Sequence, residues 1–182
     1  LKDEVSELKN KYNKVPGLTV ILIGDLTPSQ IYVRNKEKSA LEVGLKSDVI
    51  KYPDTVDEKK VLDKINELNK DDTVSGILVQ LPLPKHIDKQ KVIETIHPSK
   101  DVDGLKTSNL GKLIVGNAIL KPCTPLGVMR LIEHYKIDTQ GKVALVIGRS
   151  RLVGMPQVLM LGSKGIDCTV TLAHSRTQEM NN

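Results

Sequence analysis

The chain has 182 residues, enough to bury a sizeable core, and its formal net charge of +5 suits an anionic ligand such as a nucleotide or a polycarboxylate. It contains no Phe or Trp, and its four Tyr are not interleaved with basic residues, which argues against a nucleic-acid-binding surface. Its apolar runs are too short for a membrane span or a signal peptide, and its two cysteines form neither a metal-binding spacing nor a disulfide framework, which predicts a reducing compartment.

Helices and strands are predicted to alternate along the first part of the chain. Apolar stripes and β-branched runs predict helices at 1–12, 28–43, 57–69 and 88–96 and strands at 18–23, 46–52 and 74–81. Thr27 and Ser29 are the candidates to cap the second helix, and Gly44 to end it. This alternation predicts a parallel α/β sheet.

The second part of the chain begins with a segment, 98–116, in which turn-forming residues dominate and which is therefore predicted to be a loop. A helix at 122–135, a buried strand at 143–147, a helix from 154 to 161 and a strand at 168–173 are expected after it. We place a domain boundary near Leu120. The predicted domains are therefore an N-terminal α/β domain, 1–120, and a second domain, 121–182.

The loop between that buried strand and helix carries the first functional signal. A strand, a glycine loop and a helix together direct free backbone N–H groups and a helix dipole at a phosphate, which indicates a dinucleotide site. The match to the usual glycine fingerprint is weak, because Ser150 and Val153 occupy glycine positions and Gly154 comes one residue late. Leu152 likewise breaks the nucleophile elbow of α/β-hydrolases. Ordinary surface arginines remain the alternative interpretation.

The end of the next strand indicates which dinucleotide. A site selective for NAD places a carboxylate there to bind the ribose 2′-hydroxyl. This chain has His174, Ser175 and Arg176 instead, and Arg149 lies in the loop that such a fold would place nearby. Cations and hydroxyls suit a 2′-phosphate, so the sequence favours NADP over NAD.

A candidate for proton transfer lies on the predicted second helix. Tyr32 and Lys36 are one helical turn apart and share a face, with Ser29 one turn earlier. A lysine acts as an acid or a base near neutral pH only if burial or a cationic neighbour lowers its pKa. The alternative is a solvated lysine, of which Lys38 is an ordinary example.

Other polar positions leave their alternatives open. Gln80 ends a buried strand, where open α/β sheets bind ligands. The segment 101–104 resembles a metal loop but lacks the spaced oxygen ligands of a calcium site, so a tight turn is favoured. Cys123 is a candidate thiol nucleophile without an adjacent histidine. The four histidines show no paired ligand spacing, and we assign no metal.

Six stretches together resemble one family, the methylenetetrahydrofolate dehydrogenase/cyclohydrolases. Their order and spacing match along nearly the whole chain, which makes them more specific than any single motif. The stretches are 29–36, 76–84, 100–104, 122–127, 148–156 and 174–177.

The resemblance implies a Rossmann-like NADP-binding domain and two activities. These are oxidation of 5,10-methylenetetrahydrofolate with NADP and hydrolysis of the methenyl product to 10-formyltetrahydrofolate. Lys36 matches the catalytic lysine of the hydrolytic step, and Gln80 the group that holds it. Tyr32 would stack on the aminobenzoyl ring, and Asp103 would anchor the pterin.

The same resemblance implies the further contacts, partners and location. A homodimer, a cytoplasmic or mitochondrial location and a place in one-carbon metabolism and purine biosynthesis are expected. The implied substrate contacts are Ser29, Tyr32, Val33, Arg34, Asn35, Lys36, Val79, Gln80, Leu81 and Asp103. The implied cofactor contacts are Cys123, Thr124, Gly148, Arg149, Ser150, His174, Ser175 and Arg176.

One departure from the family is expected to matter. The family's cofactor domain continues beyond the segment 174–177, so we expect the NADP-binding domain to be incomplete in this chain. Two alternatives therefore stand beside the bifunctional enzyme. One is a dehydrogenase that lacks the second activity or uses NAD, and the other is a non-catalytic folate- or nucleotide-binding fragment.

Overall fold

The central strand of the first sheet is β1 (Gly17–Ile23), whose β-branched and aliphatic side chains are almost all buried. It pairs in parallel with β2 (Lys46–Tyr52) on one side and with β3 (Gly76–Val79) on the other. A parallel pair needs a crossover, and helices supply it here. This computed structural model describes residues 1–178, and it confirms the expected α/β class with parallel sheets.

The first unit also contains four helices: α1 (Lys2–Tyr12), α2 (Thr27–Glu42), α3 (Glu58–Lys70) and α4 (Lys89–Thr95). Asp57 and Asp88 cap α3 and α4, because their carboxylates accept backbone N–H groups of the first turn. The predicted N-terminal caps of α2, Thr27 and Ser29, are wrong, whereas Gly44, with a φ of +87°, follows the end of the helix as expected. Leu26 precedes this helix without a side-chain cap, and Pro28 in the first turn has no N–H that needs one.

The core of the first unit lies between β1, β3 and the helices α3 and α4. Its most deeply buried members are Ile21, Val61, Ile65, Ile77 and Val92. The third strand is shorter than the predicted 74–81, since only Gly76–Val79 keeps strand geometry. Gln80 still donates its N–H to the carbonyl of Ile21, 2.9 Å away, so the end of β1 fixes its backbone.

The second compact unit begins at Val102, whereas the first is Leu1–Asp101. The boundary that we expected near Leu120 concerns folding domains and stays a prediction. The second unit contains α5 (Thr107–Ile114), α6 (Cys123–His134), β4 (Val143–Ile147), α7 (Gly154–Leu161) and β5 (Thr169–Ala173). Its two strands form a parallel pair.

Two expectations about the second unit are wrong. Part of the predicted loop 98–116 is helix α5, which contacts α7 and buries Asn109, so tertiary packing overrides its turn-forming residues. The strand β4 is not buried on both faces. Val143, Leu145 and Ile147 are more than half exposed in the described chain, because α7 covers only the opposite face.

Candidate active site

The first group of site residues lies on the inner face of α2. Ser29, Val33, Lys36 and Ala40 follow one another at helical spacing and form a single stripe. Ser29, Val33 and Ala40 are buried, and Lys36, the charged member of the stripe, is half-buried. The inner face of the helix therefore holds a lysine at the margin of the core rather than in bulk water.

Lys36 has a specific partner at the end of β3. Its Nζ donates a hydrogen bond of 2.9 Å to Oε1 of Gln80. The Nε2 of the same amide donates to the carbonyl of Leu81, 2.8 Å away. Because that carbonyl can only accept, it orients the amide so that the carbonyl oxygen of Gln80 faces the lysine.

The remaining predicted substrate residues of this unit differ in their exposure. Tyr32 precedes Lys36 by one turn, and it is 59% exposed, so its ring is open to a ligand. Arg34 and Asn35 are exposed, Leu81 is half-buried, and Val79 is buried in β3. The apolar side chains of Leu26 and Ile31, close to Tyr32 in the sequence, are also exposed and were not predicted as site residues.

The aspartate motif at 101–104 contains one aspartate in each unit. Asp101 is only 2% exposed and forms an isolated parallel bridge with Ile77 of β3, while Ile77 donates its N–H to the carbonyl of Lys100. Asp101 was not predicted as a separate site residue, because the spacing of the two carboxylates indicated a single tight turn. Asp103, the predicted pterin anchor, is half-buried at the start of the second unit.

The turn that follows Asp103 lies against the start of α6. Gly104 has a φ of +63°, and a Cβ there would come within 2.8 Å of the carbonyl carbon of Lys121. Cys123 donates from Sγ to the carbonyl of Val102, 3.3 Å away. The structure thus joins Cys123, a predicted cofactor contact, to the backbone of Val102, the neighbour of Asp103 in the sequence. Thr124, the other predicted contact here, is exposed in the first turn of α6.

The glycine loop after β4 has tight backbone packing. Gly148 has a φ of +111°, a conformation that favours glycine. A Cβ at Gly154 would collide with the carbonyl of Gly148, so α7 begins where no side chain fits. Ser150 Oγ accepts the N–H groups of Val153 and Gly154 at 3.0 and 3.4 Å, and Arg149 is exposed. The late glycine is thus explained by close contact between helix and loop.

The segment after β5 leaves the same edge of the sheet as this loop. Ile147 pairs with Ala173, and Gly148 donates its N–H to the carbonyl of Ala173 at 2.7 Å. His174 is half-buried, whereas Ser175 and Arg176 are exposed. Loops at the carboxyl ends of adjacent parallel strands are the usual ligand position in open sheets.

The part of the chain formed by residues 1–178 has no group of three or more His, Cys, Asp or Glu side chains arranged to hold a metal ion. Its helices also include none with the length and apolar character to cross a membrane.

Comparison with known proteins gives a consistent result. Residues 1–103 match the family described as tetrahydrofolate dehydrogenase/cyclohydrolase, catalytic domain. Residues 122–182 match the tetrahydrofolate dehydrogenase/cyclohydrolase, NAD(P)-binding domain. The bifunctional protein FolD of Pelagibacter ubique is 61% identical over 180 residues, which are 99% of this chain and 63% of that protein.

Two solved structures are similar to this chain over nearly its whole length. Bifunctional FolD methylenetetrahydrofolate dehydrogenase/cyclohydrolase from Campylobacter jejuni superposes with a TM-score of 0.94 at 45% identity, covering 98% of this chain and 62% of that one. The Trypanosoma brucei dehydrogenase-cyclohydrolase, complexed with NADP cofactor and inhibitor, gives 0.92 at 36% identity, covering 97% and 60%. The chain thus spans somewhat less than two thirds of the length of these relatives.

Proposed function

The chain belongs to the tetrahydrofolate dehydrogenase/cyclohydrolase family, and we propose that its protein oxidises 5,10-methylenetetrahydrofolate with NADP and hydrolyses the methenyl product to 10-formyltetrahydrofolate. The observation that carries the proposal is the hydrogen bond between Lys36 Nζ and Gln80 Oε1 at the carboxyl end of the first sheet. A fixed, half-buried lysine is what a proton-transfer step requires.

Hydrolysis is the step in which these side chains act. Water adds to the cationic methenyl carbon and loses a proton, which gives a neutral carbinol. N5 then gains a proton, the bond from the carbon to N5 breaks, and the hydroxyl loses its remaining proton as the formyl C=O forms, so that one proton is released overall. Lys36 moves the proton between these oxygen and nitrogen atoms, and Gln80 keeps its Nζ directed at the reacting carbon. Held in this geometry, a general acid–base typically contributes a factor of about 10² to 10⁴.

The other predicted substrate residues bind and orient the folate. The exposed ring of Tyr32 offers a stacking face for the aminobenzoyl group. Asp103 accepts hydrogen bonds from the amine donors of the pterin. The other proposed substrate contacts are Ser29, Val33, Arg34, Asn35, Val79 and Leu81. Binding energy from these remote parts of the substrate positions the reacting carbon.

The second unit fits a dinucleotide. A side chain at Gly154 would fill the space that the loop backbone occupies, and Gly148 takes a conformation suited to glycine. Arg149, Ser175 and Arg176 are exposed, and no carboxylate lies in the segment 174–178 after β5, so these donors suit a 2′-phosphate. Bound there, NADP supplies the hydride acceptor. The proposed cofactor contacts also include Cys123, Thr124, Ser150 and His174.

A homodimer, a cytoplasmic or mitochondrial location and a role in purine biosynthesis follow from the family resemblance and belong to the same proposal. The product carries a formyl group on N10, which is the form that a formyl-transfer reaction consumes. Dimerisation is tested by sedimentation of the full natural protein.

The test of the function is an assay of the full natural protein with methylenetetrahydrofolate. We expect absorbance of NADPH to appear together with formyltetrahydrofolate, and NAD to support a slower reaction. A protein that forms the methenyl compound but never hydrolyses it would be the monofunctional alternative. Ligand binding without any turnover would leave a non-catalytic binding protein.

A further inference from the structure

The four residues that follow β5, 174–177, close on themselves in a turn that uses two of its own side chains. His174 donates its N–H to Thr177 Oγ1 at 2.8 Å, and Thr177 donates its N–H to the carbonyl of His174 at 2.8 Å. Arg176 donates its N–H to Nδ1 of the His174 ring at 3.2 Å. The two ends of the turn are thus tied by side chains as well as by backbone.

These bonds leave the middle of the turn available. Ser175 and Arg176 are exposed, and the bonds of the turn use the backbone of Arg176 and not its guanidinium group. The turn begins directly after Ala173, whose carbonyl also accepts the N–H of Gly148 at 2.7 Å. It therefore lies at the sheet edge from which the loop with Arg149 departs.

We propose that His174 and Thr177 are positioning residues that select a nucleotide with a ribose 2′-phosphate, because they hold Ser175 and Arg176 in the arrangement that binds it. The inference rests on the proposed function and deepens its cofactor site. A flexible arginine loses conformational freedom when it binds a phosphate, and a closed turn removes part of that loss beforehand. NAD lacks the 2′-phosphate, so its binding is strengthened little when the turn holds Ser175 and Arg176 in place.

The hydrogen bonds of the turn define which group a side chain at position 174 must provide. The ring nitrogen of residue 174 accepts an N–H two residues later, which is the pattern of an Asx-turn. Asparagine reproduces this acceptor with its side-chain oxygen, whereas leucine has a similar volume and no acceptor. Nδ1 must also be unprotonated, which places the hydrogen of the neutral ring on Nε2. At position 177 serine keeps the hydroxyl, and valine removes it at nearly constant shape.

The experiment measures dissociation constants of NADP and NAD for the full natural protein and four variants. The variants are His174→Asn, His174→Leu, Thr177→Ser and Thr177→Val, and thermal unfolding checks that each is folded. We expect His174→Leu and Thr177→Val to reduce the preference for NADP over NAD about fivefold, mainly through weaker NADP binding. His174→Asn and Thr177→Ser should keep the preference of the natural protein.

The outcomes separate this inference from the function on which it rests. A natural protein that does not bind NADP overturns the cofactor assignment itself. A natural protein that prefers NADP, with leucine and valine variants that keep the preference, overturns only the positioning role. Equal weakening of NADP and NAD also overturns it, since that result marks a purely structural turn. If His174→Leu does not fold, His174→Gln takes its place, because its longer side chain does not close the same turn.

Discussion

Lys36 Nζ lies 2.9 Å from Oε1 of Gln80, a residue 44 positions further along the chain. The lysine comes from the inner face of α2, and the glutamine follows the last residue of β3. The contact joins the helix and the strand end at the edge where parallel sheets bind ligands. It converts a flexible side chain into a group with one preferred position.

Removal of the acceptor at Gln80 should strongly reduce the rate of hydrolysis and have little effect on the stability of the fold. In Gln80→Leu the ammonium loses its partner and its fixed position, so we expect hydrolysis to fall about tenfold to a hundredfold. Gln80→Glu should also be slow, because an ion pair retains the proton on Lys36. Both are measured with the methenyl compound as substrate, and a Gln80→Leu protein with the natural rate would contradict this role.

Arg149 should contribute to the choice of cofactor. Arg149→Ala removes a cation from the loop at the end of β4, and a charge-assisted hydrogen bond contributes about 1.5–3 kcal/mol. We expect NADP binding to weaken about tenfold or more, with a much smaller change for NAD. Arg130→Ala is the matched control, because Arg130 is exposed on α6 and pairs with Glu133 at 2.8 Å. Equal losses for the two cofactors would remove Arg149 from the phosphate site.

A pair of glycines tests the packing of the cofactor loop. In Gly154→Ala the new methyl group collides with the backbone of Gly148, so the loop must move. We expect a loss of about 1–3 kcal/mol in the free energy of unfolding and weaker binding of both cofactors. Gly127→Ala is the control: a Cβ there meets nothing within 4 Å, and alanine should stabilise α6 by about 0.5–1 kcal/mol. Denaturant unfolding of both variants decides between these results.

The ion pair between Glu58 and Lys91 makes a pH-dependent contribution to stability. Glu58 accepts from Lys91 Nζ at 2.6 Å and from the N–H of Asp88 at 2.7 Å, so it ties the start of α3 to the start of α4. The hydrogen bond from Lys91 lowers the pKa of Glu58 below 4.5, and the bond to Glu58 raises the pKa of Lys91 above 10.5. Each shift favours the charged form in the folded state.

The sign of the effect follows from these directions. The contribution of Glu58 is complete above pH 4.5 and is lost as the pH falls through its lowered pKa. The contribution of Lys91 is complete below pH 10.5 and is lost as the pH rises through its raised pKa. Glu58→Gln should therefore lower the midpoint of thermal unfolding at neutral pH but not at acid pH. Glu133→Gln, in the exposed pair with Arg130, should change it little at either pH.

Local patterns predicted most of the first unit. The run of β1 and the stripe of α3 predicted a strand and a helix correctly because their apolar periods are strong. The helix α5 was missed because its turn-forming residues pointed to a loop. What forms it is packing against α7, which no local window contains.

The site could be predicted only in part from residue types. Exposed lysines are the rule, so residue type alone does not distinguish Lys36 from Lys38. The distinction comes from the inner face of α2 and from Gln80, and both are tertiary facts. Similarly, the sequence placed Gly154 one residue late for the usual glycine fingerprint. The reason for a glycine there is the carbonyl of Gly148, which leaves no room for a side chain and is a tertiary contact.

The proton-transfer role of Lys36 is tested most directly by a comparison of Lys36→Met with Lys38→Met in the full natural protein. Lys38 lies two residues away on the exposed side of α2, with Glu42 Oε1 3.8 Å from its Nζ, so its loss should be almost silent. With methylenetetrahydrofolate and NADP, Lys36→Met should form the methenyl compound and then stop, with hydrolysis reduced about a hundredfold or more. Formation of 10-formyltetrahydrofolate by Lys36→Met at the rate of Lys38→Met would contradict the account.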